Sequence, residues 1–128
     1  MDRGSVISEL KVRDQDWSEL LWEALKLYQG HIFTTAGRRW GNTVAPGVEF
    51  SYTIKISSRT GKPTEELLIS RKEQSKTITR STVDMAYGNA REVQRQEGFV
   101  KGPKRLKVFG ASYLYAIFKE WGIITGSP

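Results

Sequence analysis

The sequence predicts an α+β fold in which a small antiparallel β-sheet packs against N-terminal and C-terminal helices. Three observations predict this class. Apolar residues recur at helical spacing between residues 16 and 29, they alternate with polar residues from Glu49 to Ile56, and helical spacing returns after Ser75. Because the 128 residues contain no internal repeat and no linker-like composition, we expect a single domain spanning residues 1–128.

The first predicted helix runs from about Asp16 to Gln29. Asp16 is placed to cap this helix, Glu19 to complete a capping box, and Gly30 to end it. Its apolar face would consist of Trp17, Leu20, Leu21, Ala24, Leu25 and Tyr28. Before this helix, apolar and polar residues partly alternate from Val6 to Val12, which predicts a short strand.

Strands follow the first helix. Residues 31–35 read as a short strand, and residues 36–47, with three glycines and a proline, as a loop. Residues 49–56 alternate most regularly, which indicates one buried and one wet face, as in an antiparallel sheet. A turn signal at residues 60–63 then leads to a partner strand at residues 67–71.

Two helices complete the predicted fold. One runs from about Thr82 to Gln96, with Ser81 as its N-cap and Gly98 as its end. The other runs from about Ala111 to Trp121 and ends at Gly122.

Positive charge is concentrated in one part of the chain. Ten of the twenty Lys and Arg residues lie between Arg71 and Lys107, with only four acids among them. The net charge of this segment is therefore +6, equal to that of the whole chain. Such polarisation favours an anionic ligand bound at this segment.

The first candidate anion site lies where residues 70–82 approach a helix N-terminus. This stretch holds four cations and six hydroxyls, among them Arg71, Lys76, Arg80 and Ser81. Free backbone N–H groups, hydroxyls and guanidinium groups together suit the oxygens of a phosphate. An ordinary capped helix with a solvated basic approach is the alternative interpretation.

Two further basic groups follow. Arg91 and Arg95 are four residues apart on the predicted helix, so one anion could bridge them, although Glu92 could neutralise the pair instead. A solvated helix face is the alternative. Residues 101–107 form a loop that contains Gly-Pro and could follow a phosphodiester backbone through Lys104, Arg105 and Lys107.

Two aromatic residues are candidates for base stacking. Arg38, Arg39 and Trp40 lie in a glycine-containing loop, where Trp40 would stack while the arginines hold phosphate. Trp40 could equally fold back into the core. Tyr113 flanks the apolar stripe of the last helix and is either a boundary residue or a second stacking platform.

We expect a binding protein rather than an enzyme, with no cofactor and no metal. His31 is the single histidine and the chain has no cysteine, so zinc ligands and disulfides have no basis. No nucleophile motif, phosphate-binding loop or dinucleotide-binding motif occurs. No apolar run approaches the roughly 20 residues that span a bilayer, and the N-terminus lacks a signal-peptide pattern, so we expect a cytoplasmic protein without a membrane partner.

The C-terminal half carries a resemblance. Gly102-Pro103-Lys104 and the stretch Val108–Phe118, together with Ser70–Lys72 and Thr77–Val83, resemble small uncharacterised proteins of bacteria and of their phages or mobile elements. This resemblance implies a setting in which small basic proteins bind nucleic acid, block a host nuclease or sequester a nucleotide signal. It assigns no functional residue.

The sequence therefore predicts a non-enzymatic protein that binds a phosphate-bearing ligand, and it favours a nucleic-acid backbone as that ligand. The alternative is an anti-defence protein of a phage or mobile element, which would sequester a nucleotide or inhibit a nucleic-acid enzyme as its protein target. Trp22 and Tyr115 lie off the main apolar stripes and could mark the dimer surface of a homo-oligomer.

Overall fold

The α+β class predicted from the sequence is confirmed. A computed structural model of the chain describes residues 1–71 and 74–126; of residues 38–40 and 74 it describes the backbone but not the side chains. In these residues the helices are α1 (Arg3–Val12), α2 (Ser18–Leu27), α3 (Arg80–Glu97) and α4 (Ala111–Glu120). The strands are β1 (Phe33–Thr34), β2 (Arg38–Trp40), β3 (Thr43–Ala45), β4 (Glu49–Ile56), β5 (Pro63–Arg71) and β6 (Gln74–Thr79). A 3₁₀-helix spans Pro103–Leu106.

The main sheet is antiparallel, with the strand order β1-β4-β5-β6, and β2 and β3 form a separate hairpin. Tyr52 of β4 pairs with Ile69 of β5, and Ile69 pairs with Lys76 of β6. Since paired residues share a face, Tyr52 and Ile69 show that this is the buried side, which packs against the helices. The strand β6 is one edge of the sheet, and Lys76 lies on its inner face.

Helix α1 replaces the strand predicted at Val6–Val12, so that prediction is wrong. Val6, Ile7 and Leu10 are buried at helical spacing, whereas Val12 is exposed. The Asp2 carboxylate accepts a hydrogen bond from the Ser5 backbone N–H (2.8 Å) and thereby caps the helix. The partial alternation of this segment concealed the three-to-four-residue spacing.

Helix α2 is shorter than predicted, and Asp16 does not cap it. Asp16 has a positive φ of 55°, and Trp17 precedes the first helical residue without a side-chain capping bond. Instead, the Trp17 ring packs on Tyr87 of α3 at 4.6 Å, and the Ser18 hydroxyl donates to Asp84 at 2.7 Å. Tertiary contacts with α3 therefore fix where α2 begins. Gly30 adopts the positive φ expected after the helix (82°).

The centre of the chain contains more β structure than predicted. Residues 36–47, predicted as a loop, contain the hairpin of β2 and β3, and β1 is limited to two residues. Strand β6 occupies residues 74–79, which were predicted as the approach to a helix. Of the β6 residues, only Ile78 is apolar and buried, so alternation was too weak to reveal the strand.

The last two helices are close to their predicted positions. Helix α3 begins at Arg80, and its N-cap is Thr79 rather than Ser81, because the Thr79 hydroxyl accepts from the Thr82 backbone N–H. It ends at Gly98, which is left-handed as predicted. In α4 the buried side chains include Tyr113, Leu114, Tyr115, Ile117 and Phe118. None of the described helices is both long and apolar enough to span a bilayer.

Candidate nucleic-acid interface

The basic residues fall into two groups, and Arg80 represents the group that is engaged within the fold. Its guanidinium group donates to Glu19 at 2.8 Å and lies 3.5 Å from a carboxylate oxygen of Glu65. It also lies over the Trp22 ring, 5.4 Å from the centroid. Only 15% of the side chain is exposed, so Arg80 joins α2, β5 and α3 rather than reaching into solvent.

Arg91 has a similar structural role. Its guanidinium donates to the backbone carbonyl of Arg13 at 2.9 Å, makes longer bonds of 3.4 Å to that of Lys11, and lies 3.8 Å from Asp14. Arg91 thereby satisfies carbonyl groups where α1 ends. It is 16% exposed.

Arg95 does not complete the predicted anion pair with Arg91. It donates instead to Glu92 at 2.6 Å, within the same helix. A shallow pocket of about 190 Å³ does lie between Arg91, Gln94, Arg95 and Asp14. Because Asp14 and Glu92 place carboxylates beside both guanidinium groups, this pocket offers little net positive charge to an anion.

Arg105 is also paired. It forms a two-pronged hydrogen bond with the carboxylate of Glu97, the last residue of α3, and so ties the 3₁₀-helix to α3. The hydrogen bond from Arg105 holds the pKa of Glu97 below its ordinary value and raises the pKa of Arg105. Arg105 of the predicted basic loop is therefore already engaged within the fold.

The hydroxyl groups around Ser81 bond mainly to one another. The Thr79 hydroxyl lies 3.2 Å from that of Ser81 and 2.9 Å from that of Thr82, while also capping α3. The predicted phosphate cradle is thus partly occupied by the helix's own capping interactions.

Arg71 and Tyr113 begin the second group of residues. Arg71 lies at the end of β5, and its guanidinium is 3.5 Å from the Tyr113 hydroxyl, at the long limit of a hydrogen bond. The Tyr113 ring packs edge-on against Phe50 at 5.0 Å. Tyr113 is only 5% exposed, so little of its ring is free for a base to stack on.

Lys76 and Phe109 lie beside this pair. The Lys76 ammonium is 5.4 Å from the centroid of the Phe109 ring and 5.9 Å from that of Tyr113. Phe109 is 67% exposed, the largest exposure of any aromatic ring in the described side chains. An aromatic ring in solvent beside a cation is the combination that nucleic-acid surfaces use for bases and phosphates.

Two lysines extend this surface along the chain. The Lys107 backbone N–H donates to the Lys104 carbonyl at 3.3 Å, which keeps the two residues on one turn of the 3₁₀-helix and its end. Lys107 has a positive φ of 57° and precedes Phe109 by two residues. Both lysine side chains are exposed.

We call the set Arg71, Lys76, Lys104, Lys107, Phe109 and Tyr113 the basic–aromatic surface. Among the described residues, no carboxylate lies within ion-pair distance of its four cations. Sequence reasoning identified all its members except Phe109. The signal for Phe109 was present, because it is an apolar aromatic between basic residues and a glycine, before the stripe of the last helix begins.

Several predicted site features lie elsewhere. The predicted roles of Arg38, Arg39 and Trp40 concern side chains outside the described part of the structure. Trp22 and Tyr115, predicted to mark a dimer surface, are 4% and 2% exposed, so neither offers a surface to a partner. Both side chains belong to the core. The Trp22 ring is covered by Arg80, and the Tyr115 hydroxyl donates to the Val100 carbonyl.

A second cavity, of about 340 Å³, lies between β1 and α4. Its lining includes Lys119 and Glu120, whose charges are opposite, so it offers an anion little net positive charge. Across residues 1–71 and 74–126, no three carboxylate or imidazole groups gather as a metal ion would require.

The comparisons with protein-family models, with curated proteins and with solved structures each found no match to this chain.

Proposed function

We propose that this protein binds the phosphate backbone of a nucleic acid through the basic–aromatic surface. The observation that carries the proposal is the separation of the cations into two groups. Arg80, Arg91, Arg95 and Arg105 are each paired with a carboxylate. The cations of the basic–aromatic surface have no such partner among the described residues, and they accompany the exposed ring of Phe109.

The exposed lysines supply the sequence-independent part of such binding. A lysine that neutralises a phosphate releases a condensed counterion, so affinity falls as salt rises. Lys76, Lys104 and Lys107 are exposed, and none has a carboxylate partner within residues 1–71 and 74–126 that a phosphate would have to displace. Contacts of this kind position a strand but do not read its sequence, so we propose weak sequence preference.

The proposal is binding without catalysis, in the cytoplasm. His31, the residue best suited to acid–base chemistry, lies 2.5 Å from Glu120 and packs edge-on against Phe33 at 4.7 Å. This packing supports a structural role. Sequestration of a nucleotide was predicted to use Arg91 and Arg95, which are engaged by Arg13, Asp14 and Glu92; that alternative stays a prediction that no contact here favours.

A charge-matched comparison tests the proposal. Lys104→Gln with Lys107→Gln removes two cations from the basic–aromatic surface. Lys55→Gln with Lys62→Gln removes two exposed cations far from this surface. Lys62 precedes the first residue of β5, whereas Arg71 is the last, and the strand is about 26 Å long. Affinity for fluorescent oligonucleotides is measured by anisotropy at low salt.

We expect the first double variant to lose about tenfold in affinity and the second less than about threefold. Equal losses in the two variants would show that only net charge matters, and would contradict a site at the basic–aromatic surface. No binding of DNA or RNA by the unaltered protein at low salt would overturn the proposed function itself.

A further inference from the structure

We infer that the bound nucleic acid is single-stranded and that one of its bases stacks on Phe109. This inference rests on the proposed function and adds the form of the nucleic acid and the residue that recognises it. It is carried by three observations, namely the exposure of Phe109, the backbone that presents it, and the Lys76 ammonium beside its ring.

The exposure of Phe109 is unusual within this fold. Burying a phenylalanine side chain stabilises a protein by roughly 1.5–3 kcal/mol, and the rings of Phe33, Phe50 and Phe118 are buried. Phe109 instead keeps 67% of its surface in solvent, immediately before α4, whose own aromatic residues Tyr113, Tyr115 and Phe118 all pack inwards.

The backbone around Phe109 holds it outside the core. Lys107 and Gly110 both have left-handed backbone conformations, with φ of 57° and 76°, so the chain turns sharply on either side of the ring. Gly110 also fits tightly against Ile78 of β6, where a Cβ would lie 2.6 Å from the Ile78 Cδ1. The ring is therefore presented by a fixed turn, which lowers the entropy lost when a base stacks on it.

Lysines accompany the ring in space and in sequence. The Lys76 ammonium lies 5.4 Å from the ring centroid, and Lys107 is two residues away along the chain. A base stacked on Phe109 would thus have the Lys76 ammonium close enough to hold a neighbouring phosphate. This is the stacking-plus-phosphate arrangement of proteins that bind single strands.

A duplex does not suit this surface. Its bases are stacked on one another, so a ring such as Phe109 could reach a base face only after unstacking, which costs a few kcal/mol per step. An exposed ring such as Phe109 therefore has no base face to stack on in either groove of an intact duplex. DNA and RNA single strands share the required chemistry, because every base has a π-face.

The test compares four probes: a short oligothymidylate, the corresponding oligouridylate, a duplex of the same length, and an abasic strand with the same phosphates. Each is titrated by anisotropy with the unaltered protein, with Phe109→Ala and with Phe109→Trp. Met85→Ala is the matched control, because Met85 is another large apolar side chain that is mostly exposed, at 59%. Thermal unfolding of each variant checks that it is folded.

We expect the unaltered protein to bind both base-bearing single strands about tenfold more tightly than the abasic strand, as the loss of one stacked base would give. Phe109→Ala should remove that difference without changing affinity for the abasic strand, Phe109→Trp should keep it, and Met85→Ala should change nothing. The tighter of the two base-bearing strands identifies DNA or RNA as the preferred source.

Two results would overturn the inference. One is tighter binding of the duplex than of the single strands, and the other is a base-dependent affinity that Phe109→Ala leaves intact. In either case the lysine double variant would still decide the proposed function. A protein that binds none of the four probes would refute the proposed function, and the stacking inference with it.

Discussion

Gly110 lies so close to Ile78 that a Cβ built on its backbone would be 2.6 Å from the Ile78 Cδ1, a distance that real side chains do not reach. Gly110 also has a φ of 76°, which glycine adopts without strain. This contact joins the turn before α4 to the edge strand β6. Phe109, the residue before Gly110, lies beside Lys76 of the same strand.

Gly110→Ala should therefore destabilise the protein by about 2–4 kcal/mol, since it adds a steric overlap to the cost of a left-handed alanine. Gly98→Ala is the matched control, because Gly98 has a φ of 81° but nothing within 4 Å of its Cβ position. Gly98→Ala should cost only the backbone term, about 1–2 kcal/mol. Urea unfolding measures both, and equal losses would show that the contact with Ile78 contributes nothing.

Arg80 and Lys76 should differ in what their substitution affects. Arg80→Gln should lower the free energy of unfolding by about 1–3 kcal/mol, because it breaks two ion pairs and uncovers Trp22, and should barely change nucleic-acid affinity. Lys76→Gln, which removes an exposed side chain, should weaken binding about threefold with little effect on stability. Urea unfolding measures the stability of both variants, and anisotropy measures their affinity for an oligonucleotide. Equal losses of stability, or equal losses of affinity, in the two variants would contradict these separate roles.

The stability of the protein should respond differently to the loss of two buried tyrosine hydroxyls. The Tyr52 hydroxyl donates to the Leu25 carbonyl of α2 at 2.6 Å, so Tyr52→Phe should cost about 1 kcal/mol. Burial raises the pKa of Tyr87, and its hydroxyl has no partner in the described structure. Tyr87→Phe should consequently be neutral or slightly stabilising in thermal unfolding. A larger loss for Tyr87→Phe than for Tyr52→Phe would contradict these hydrogen-bond assignments.

The pair of Glu97 and Arg105 predicts a dependence of stability on pH. The hydrogen bond from Arg105 lowers the pKa of Glu97 from its usual 4.5, so the folded state holds this proton less tightly than the unfolded state. The stabilisation by the Glu97–Arg105 pair is fully present above about pH 5. It is lost as the pH falls through the pKa that Glu97 has in the folded state. The Tm of Glu97→Gln should thus fall less steeply below pH 4.5 than that of the unaltered protein.

High salt should bring the pH profiles of Tm for Glu97→Gln and the unaltered protein closer together. Salt screens the Glu97–Arg105 pair because both side chains are partly exposed. Identical pH profiles for the two proteins would show that the pair does not contribute to folding.

Local patterns in the sequence predicted the elements whose side chains alternate or repeat clearly. Strand β4 has the predicted bounds, and α4 differs by one residue, because their apolar residues mark the buried face directly. Helix α1 and strand β6 were missed for the opposite reason: α1 is short and mixed in polarity, and β6 contributes one buried apolar residue. Each is held by a neighbouring element rather than marked by its own pattern, since α1 packs against α2 and β6 pairs with β5.

The same limit applies to the candidate site. The chain shows where cations are concentrated, but not which of them find carboxylates. Arg80 pairs with Glu19, sixty-one residues away in sequence, and Arg91 bonds to carbonyls about eighty residues away. These long-range partners distinguish Arg80 and Arg91 from the cations that have no carboxylate partner among the described residues. Phe109 was overlooked because its exposure is set by the turn at Lys107 and Gly110.

The salt dependence of oligonucleotide binding shows whether the basic–aromatic surface holds a phosphate backbone. If Arg71, Lys76, Lys104 and Lys107 each neutralise one phosphate, the logarithm of the affinity for a single strand should fall linearly with the logarithm of the salt concentration, with a slope of about −3. The slope should be shallower by about 0.7 for Lys107→Gln, which removes one contact. A slope near zero, or no binding at low salt, would mean that these cations do not hold a phosphate backbone.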